Sequence, residues 1–153
     1  MTSTDQNGAP RLNILVVDDD RLEMVAVRRR FQREGIECMV TGAIDGEEAM
    51  ALLELYMDGS SLPPPNLVLL DLNMPRMNGF EFLDAVRKAE CLKDTVVFVF
   101  STSEDERDIQ NAYARGVTGY ISKRESGPGH RNLVRLIAPK CPWIAKHHSS
   151  LLH

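Results

Sequence analysis

Three aspartates stand where apolar runs of the chain end, which is a position at which side chains can do chemistry. The run from 12 to 17 leads directly into Asp18 and Asp19, and the run from 67 to 70 ends at Asp71. Carboxylates about 4 Å apart repel one another by roughly 4 kcal/mol per pair at an effective dielectric constant near 20. If folding gathers these side chains, a cation must offset that repulsion, and oxygen ligands suit Mg²⁺ or Mn²⁺.

Two further polar residues follow later strand-like runs. Ser101 follows the β-branched and aromatic run from 95 to 100, and Lys123 follows the run from 117 to 122. If Asp71 attacked a phosphoryl group, a metal ion and the Lys123 ammonium would stabilise the charge on the phosphoryl oxygens, and Ser101 would donate a hydrogen bond to one of them. The product would be a phosphoaspartate.

Strand-like and helix-like segments alternate along the chain and give five βα units. This alternation predicts an α/β fold with a parallel sheet and helices on both faces, and right-handed crossovers leave few ways to wind it. In the flavodoxin-like doubly wound order 2-1-3-4-5, the ligand site lies at the carboxyl ends of the strands, between strands one and three. The polar residues above would then share one edge. The predicted strands cover residues 12–17, 38–41, 67–70, 95–100 and 117–122.

The helix-like segments carry local signals of their own. Asp45 with Glu48, and Ser103 with Glu106, have the spacing of a capping box at a helix start. Gly35 and Gly116 predict left-handed residues after two helices, and Pro139 and Pro142 predict that the last helix cannot continue regularly. The apolar residues after the second box are expected to face inward, namely Ile109, Ala112 and Tyr113.

The length and ends of the chain favour one domain. At 153 residues a single core is expected. Residues 1–10 are polar and predict a disordered lead-in without a signal peptide, residues 11–138 the folded domain, and residues 139–153 a C-terminal tail. Trp143 in that tail could pack against a partner, and the tail is too short for a DNA-binding domain. The histidines of the tail have no ligand spacing.

Composition excludes several functional classes. A formal net charge of −4 offers no basic footprint for a nucleic acid. No apolar run approaches 18 residues, so a membrane span is not expected. Three cysteines, an odd number without paired spacing, favour a reducing cytoplasm over an exported, disulfide-bonded protein. The arginines at 28–30 are interpreted as a solvated helix face.

Four segments resemble the signature of bacterial response-regulator receiver domains. They are Val-Val-Asp-Asp-Asp at 16–20, Leu-Asp-Leu-Asn-Met-Pro-Arg-Met-Asn-Gly at 70–79, Val-Phe-Ser-Thr-Ser at 99–103 and Gly-Tyr-Ile-Ser-Lys at 119–123. The resemblance covers about residues 12–137, and the separations of its polar residues are similar to those in such domains.

The resemblance implies a role for each site residue in a two-component signalling protein. Asp71 would be the phosphoacceptor, and Asp18 and Asp19 would bind the metal together with Asp71. Asn73 would offer its backbone carbonyl to the metal, and Lys123 would contact the acyl phosphate. The domain would be a phosphoacceptor rather than an enzyme, with self-catalysed phosphoryl transfer and autodephosphorylation only.

The resemblance also implies a switch and partners. Ser101 and Tyr120 would be the switch pair, with phosphorylation drawing the Ser101 hydroxyl inward and Tyr120 following from exposed to buried. The surface of the fourth helix, fifth strand and fifth helix would change with them. The implied partners are a sensor histidine kinase and an unknown output protein or onward phosphotransfer, with a homodimer as a further assembly.

Two departures from the pattern qualify the resemblance. Receivers usually have proline after the lysine, with a cis peptide, whereas this chain has Arg124, so the Lys123–Arg124 bond could be cis or trans. Ser101 replaces the commoner threonine but keeps the hydroxyl. The long segment 124–130 and the proline-bearing loop 58–65 resemble single-domain receivers that serve phytochrome-type kinases.

Other interpretations stay open at this point. Any one of Asp18, Asp19 and Asp20 could simply cap the first helix, and Asp71 could form a turn. A pseudo-receiver would share the fold and never take a phosphoryl group. An aspartate-nucleophile phosphohydrolase would also form an aspartyl phosphate, but those enzymes resemble Asp-x-Asp at the nucleophile, and here Asn73 stands in the second position.

Overall fold

One parallel sheet of five strands forms the centre of the protein. The structure is a computed structural model that describes residues 12–57, 64–74 and 76–147. The strands lie in the order β2-β1-β3-β4-β5, which confirms the predicted doubly wound fold. The strands are β1 (Leu12–Val17), β2 (Cys38–Ala43), β3 (Leu67–Leu70), β4 (Val97–Ser101) and β5 (Gly119–Ser122).

Six helices connect and cover the described strands. Two short 3₁₀ turns, Pro128–His130 and Ala138–Lys140, precede the last two of them. No described helix is long and apolar enough to cross a membrane. The helices are α1 (Arg21–Arg33), α2 (Gly46–Met57), α3 (Gly79–Lys88), α4 (Glu106–Ala114), α5 (Leu133–Ile137) and α6 (Pro142–His147).

Alternation along the buried strands divides the core into two layers. Successive side chains of a strand point to opposite faces of the sheet. Leu69 and Phe98 therefore pack with α1, α5 and α6 on one face, whereas Leu70 and Val99 pack with α2, α3 and α4 on the other. All residues of β3 and β4 are buried, as expected of central strands covered on both sides. This double cover fixes the strand ends that carry the polar residues.

Most predicted helix ends are confirmed, with one exception. Gly35 and Gly116 are left-handed, each with φ 75°, and Asp45 accepts a hydrogen bond from the Glu48 N–H at 2.8 Å. The capping box of Ser103 and Glu106 is wrong, because Asp105 caps α4 by accepting from the Arg107 N–H at 2.9 Å. The Ser103 hydroxyl instead bonds to Asp108 at 2.6 Å.

The inward face of α4 is narrower than predicted. Ala112 is fully buried, but Tyr113 is 45% exposed and Ile109 is only partly covered. The prediction that Tyr113 faces inward is wrong, because one side of this short helix lies open beside β5. An apolar face therefore remains at the edge of the molecule.

The chain beyond residue 138 continues to pack on the domain. Pro139 and Pro142 interrupt the helix as predicted, and a new helix begins at Pro142. Cys141 and Ile144 are buried in the same core cluster as α1 and α5, and Trp143 packs against it. The segment expected to be a tail thus begins with residues that complete the core. The expected lead-in at 1–10, the loop at 58–63 and the end at 148–153 lie outside the described residues.

Candidate functional site

Strand register brings the predicted polar residues to one edge of the sheet. Val17 pairs with Leu70 at the ends of β1 and β3, and the Asp71 N–H donates to the Val17 carbonyl at 2.8 Å. At the ends of β4 and β5, the Lys123 N–H donates to the Ser101 carbonyl at 2.8 Å. Backbone hydrogen bonds therefore continue one residue beyond the strand ends and fix the backbone positions of Asp71 and Lys123.

Three carboxylates meet at this edge. One oxygen from each of Asp18, Asp19 and Asp71 lies within 4.8 Å of the others. Asp18 and Asp71 are only 6% and 8% exposed, whereas Asp19 is exposed. Such close, shielded negative charges are costly unless a cation accompanies them.

Asp18 is held by two hydrogen bonds. Its Oδ1 accepts from the Asp20 N–H at 2.8 Å, and its Oδ2 accepts from Lys123 Nζ at 2.7 Å. Burial nevertheless raises the pKa of the Asp18 carboxyl to about 6, against the opposing effect of these bonds. Asp20 caps α1 by accepting from the Leu22 N–H at 3.0 Å. Of the three aspartates considered as caps of the first helix, Asp20 therefore has that role.

Asp71 lies beside the same ammonium group. Its Oδ2 is 3.9 Å from Lys123 Nζ, and its Oδ1 accepts from the Asn73 N–H at 3.3 Å. Burial raises the pKa of Asp71, while the Lys123 charge and hydrogen bonds from Asn73 and Ser101 oppose the rise. Asp71 is thus a shielded carboxylate with a cation and a hydroxyl donor nearby.

Lys123 is the fixed positive charge of the site. Burial disfavours its charged form, but the hydrogen bond to Asp18 and the charges of Asp18, Asp71 and Glu23 together outweigh burial and raise its pKa. Its Nζ lies 5.8 Å from the centre of the Phe100 ring. The described chain contains no cis peptide bond, so the Lys123–Arg124 bond is trans. The reach of Lys123 to both aspartates does not need the cis geometry.

The loop after Asp71 is braced by a contact between Arg76 and Asp45 that the sequence does not predict. Arg76 is left-handed with φ 62°, and its guanidinium bonds to the fully buried Asp45, the N-terminal cap of α2. The Gly46 N–H donates to the Met77 carbonyl at 3.1 Å. The positive φ of Arg76 marks it as unusual in the structure, but no pattern in the sequence predicts that conformation.

A glycine is required where this loop turns into α3. A Cβ at Gly79 would lie 2.7 Å from the Asp71 carbonyl oxygen, closer than any real contact allows. The Gly79 N–H donates to the Leu72 carbonyl at 3.1 Å. Asn78 and Glu81 then form a complete capping box at the start of α3. These contacts let the helix begin directly behind the phosphoacceptor candidate.

Ser101 and Tyr120 lie between this edge and α4. Ser101 is fully buried, and its Oγ accepts from the Ser103 N–H at 3.2 Å. Tyr120 is half-buried, and its hydroxyl donates to the Ser103 carbonyl at 2.8 Å. The two side chains are therefore linked through one residue of the β4–α4 loop. A cavity of about 340 Å³ opens beside Tyr120 and is lined by Glu104, Ile109, Tyr113, Ser122, Arg124 and Glu125.

The donor set fits a hard divalent cation. It consists of carboxylate oxygens that are close enough to share one ion, and it contains no thiolate or imidazole. Mg²⁺ and Mn²⁺ prefer such oxygen ligands. Asn73 lies within the same loop as Asp71, and the structure records its N–H bond to that carboxylate.

Comparison with known proteins agrees with this geometry. The family model described as the response regulator receiver domain matches residues 14–135. The response regulator Rcp1 of Synechocystis is 32% identical over 120 residues, which cover 78% of this chain and 81% of Rcp1.

Solved structures agree as well. The phosphorylated cyanobacterial phytochrome response regulator RcpA superposes with a TM-score of 0.74 at 30% identity, covering 86% of this chain and 94% of RcpA. The Mn²⁺-bound form of Rcp1 superposes with a TM-score of 0.71 at 31% identity, covering 83% and 91%. Together with the matched family model, these likenesses show that the chain belongs to the response regulator receiver domain family.

Proposed function

We propose that Asp71 accepts a phosphoryl group from a sensor histidine kinase in a reaction that depends on Mg²⁺. The observation that carries this proposal is the meeting of Asp18, Asp19 and Asp71 within 4.8 Å, with Lys123 Nζ 3.9 Å from Asp71. An Asp71 oxygen attacks phosphorus, and the bond from phosphorus to the donor breaks. The donor's leaving group keeps the electron pair of that bond.

The metal would be held by the carboxylates of Asp18, Asp19 and Asp71 and by the backbone carbonyl of Asn73. When bound, it supplies positive charge beside the phosphoryl oxygens and so lowers the cost of bringing them to a carboxylate. The related Rcp1 has been solved with Mn²⁺, which supports either ion.

Lys123 would change partners during the reaction. Its ammonium donates to Asp18 at 2.7 Å and lies 3.9 Å from Asp71, so a phosphoryl group on Asp71 would offer it a nearby anionic acceptor. The buried Ser101 hydroxyl would donate to another phosphoryl oxygen. The Lys123 ammonium already lies beside Asp71, which reduces reorganisation during transfer.

Partner proteins would recognise the phosphorylated state at the surface formed by α4, β5 and α5. Phosphorylation adds about −1.5 to −2 charges, and drawing the Ser101 hydroxyl toward them would disturb the contacts of Tyr120 through Ser103. The cavity beside Tyr120 gives that ring room to move. An output protein, a second copy of the chain or onward phosphotransfer would read this change. RcpA is a phytochrome response regulator, which favours a phytochrome-like kinase as the donor.

Labelling with acetyl phosphate and Mg²⁺ tests the proposal. We expect an acid-stable, base-labile adduct on Asp71 that slowly hydrolyses, and none in Asp71→Asn. Absence of the adduct in the wild-type protein would indicate a pseudo-receiver. Fast turnover of many phosphate esters would indicate a phosphohydrolase instead.

A further inference from the structure

A chain of side chains connects helix α1 to the backbone of Lys123. Ser126 is fully buried, and its Oγ donates to the Lys123 carbonyl at 2.7 Å. The same Oγ is 2.8 Å from His130 Nδ1, and His130 Nε2 is 3.0 Å from Glu23 Oε2. Glu23 lies 107 residues before His130 in the sequence, so this contact joins distant parts of the chain.

Counting hydrogen atoms fixes the direction of this chain. A serine hydroxyl has one hydrogen to donate, and here it goes to the Lys123 carbonyl. The Glu23 carboxylate accepts from Nε2–H of His130, and Ser126 Oγ lies 2.8 Å from Nδ1 of the same ring. The bond from His130 lowers the pKa of Glu23, while burial opposes this shift.

The surrounding backbone is shaped to hold His130 in this place. His130 is left-handed with φ 56°, a conformation uncommon for residues other than glycine. The solvated face predicted for residues 28–30 is wrong for Arg30, whose side chain is only 15% exposed. It donates to the Gly129 carbonyl at 3.0 Å and ties the turn to α1. The His130 ring also packs edge-on against Phe100, with ring centres 4.9 Å apart, and Phe100 is the ring that lies beside Lys123 Nζ.

We infer that Glu23, His130 and Ser126 form a positioning relay that holds the Lys123 backbone so that its ammonium reaches the phosphoryl group on Asp71. None of the three touches the reacting atoms, so each acts through Lys123. The inference rests on the proposed phosphorylation of Asp71. It adds that α1 contributes to catalysis through Glu23 as well as supporting the neighbouring aspartates.

Kinetic comparison of variants tests the relay. Ser126→Ala and His130→Asn each remove one link, and asparagine tolerates the left-handed backbone. We expect the initial rate of labelling by acetyl phosphate to fall roughly three- to tenfold, the equivalent of one lost hydrogen bond. Glu23→Ala should do the same, and Glu23→Gln, which keeps an oxygen acceptor, should recover most of the rate. Arg131→Ala, an exposed change in the same segment, is the matched control and should label at the wild-type rate.

Two readouts separate positioning from a general loss of structure. The affinity for Mg²⁺, measured by calorimetry, should be the same in Ser126→Ala as in the wild-type protein, because none of the proposed metal ligands contacts the relay. In a Lys123→Ala background, Ser126→Ala should cause no further loss of rate, since the group it positions is already gone. Independent, multiplying losses in the double variant, or Mg²⁺ binding that weakens as much as the rate, would overturn the inference.

Labelling of the wild-type protein distinguishes failure of the relay from failure of the proposed phosphorylation. If the wild-type protein takes no label, the proposed phosphorylation fails. If it is labelled and Ser126→Ala and Glu23→Ala are labelled equally fast, only the relay fails. Should Ser126→Ala not fold, the pair Glu23→Ala and Glu23→Gln decides the matter at a partly exposed position on α1.

Discussion

The acidic edge and the surface of α4 and β5 are built in opposite ways. At the acidic edge, Asp18, Asp71 and Lys123 are shielded from water and held by hydrogen bonds of 2.7–3.3 Å. On the α4 surface, Tyr113 is 45% exposed and the cavity beside Tyr120 leaves apolar side chains only partly packed. The first region is closely held by charge and hydrogen bonds, and the second is loosely packed.

The two regions should therefore respond differently to a change in charge or packing. Shielded like charges store repulsion that a cation can relieve, so the acidic edge responds strongly to charge. A loosely packed apolar surface has few contacts to lose, so small changes behind it can alter its shape. Substitutions should therefore affect chemistry at the first region and partner recognition at the second.

The largest effect is expected from Asp71→Asn. The amide is nearly isosteric but is not a nucleophile for phosphorus, so labelling by acetyl phosphate should fall to background. Removing one of three clustered negative charges should also raise the free energy of unfolding in metal-free buffer, measured by urea denaturation. An Asp71→Asn protein that labels at another carboxylate would break the assignment of the acidic edge.

The next largest effect is expected from Lys123→Ala. Loss of the ammonium proposed to face the phosphoryl oxygens should slow labelling by about 10²- to 10³-fold, the range for removing one preorganised donor. Without metal, Asp18 and Asp71 lose their partner, so unfolding free energy at pH 8 should fall by about 1–3 kcal/mol. Saturating Mg²⁺ should restore much of that loss.

Arg124→Ala is the matched control for this lysine. Arg124 is the next residue, is exposed, and pairs with Glu104 at 3.2 Å. We expect its labelling rate and stability to stay near the wild-type values. Equal losses in both variants would mean that the loop, rather than the ammonium, is what matters.

A moderate effect is expected from pH on metal binding. The folded-state pKa of Asp18, raised to about 6 by burial, means that protons compete with Mg²⁺ below that pH. At pH 5 only about one molecule in ten has Asp18 ionised, so Mg²⁺ affinity should be at least about tenfold weaker than at pH 7.5. The raised pKa of Asp71 acts in the same direction. Calorimetric titrations at several pH values measure this dependence.

The raised pKa of Asp18 also determines how the stability of the metal-free protein changes with pH. A folded pKa above the unfolded value favours the protonated folded state, so this contribution to metal-free stability is present at low pH and lost as pH rises through about 6. Asp18→Asn should flatten this part of the pH profile. An unchanged profile in that variant would show that another group titrates there.

The sequence predicted the acidic edge better than the contacts that brace it. Strand ends follow from local apolar patterns, and the doubly wound order then brings the ends of β1, β3 and β5 to one edge, so Asp18, Asp71 and Lys123 could be placed together from the strand pattern, that order and the resemblance to receiver domains. Arg76 and Asp45 lie 31 residues apart, and their contact depends on loop conformations that no periodicity encodes. The same is true of His130 and Glu23.

Two errors of prediction lie on or beside the α4 surface. The capping box at Ser103 failed because Asp105, two residues on, competes for the same role and leaves Ser103 to serve Tyr120 and Asp108. Tyr113 was predicted to be inward because helical spacing identifies an apolar stripe but not whether anything covers it.

The smallest effect on stability is therefore expected from Tyr113→Ala. Because this ring is 45% exposed, the free energy of unfolding should change by less than about 0.5 kcal/mol. Tyr120→Phe is the matched change, since it removes only the hydroxyl that donates to the Ser103 carbonyl, and it should cost about 0.5–1.5 kcal/mol. Neither variant should alter Mg²⁺ affinity, which depends on the other region. If Tyr113→Ala destabilised the protein more than Tyr120→Phe, the α4 surface would be part of the packed core, and the contrast between a rigid chemical edge and an adjustable output surface would be lost.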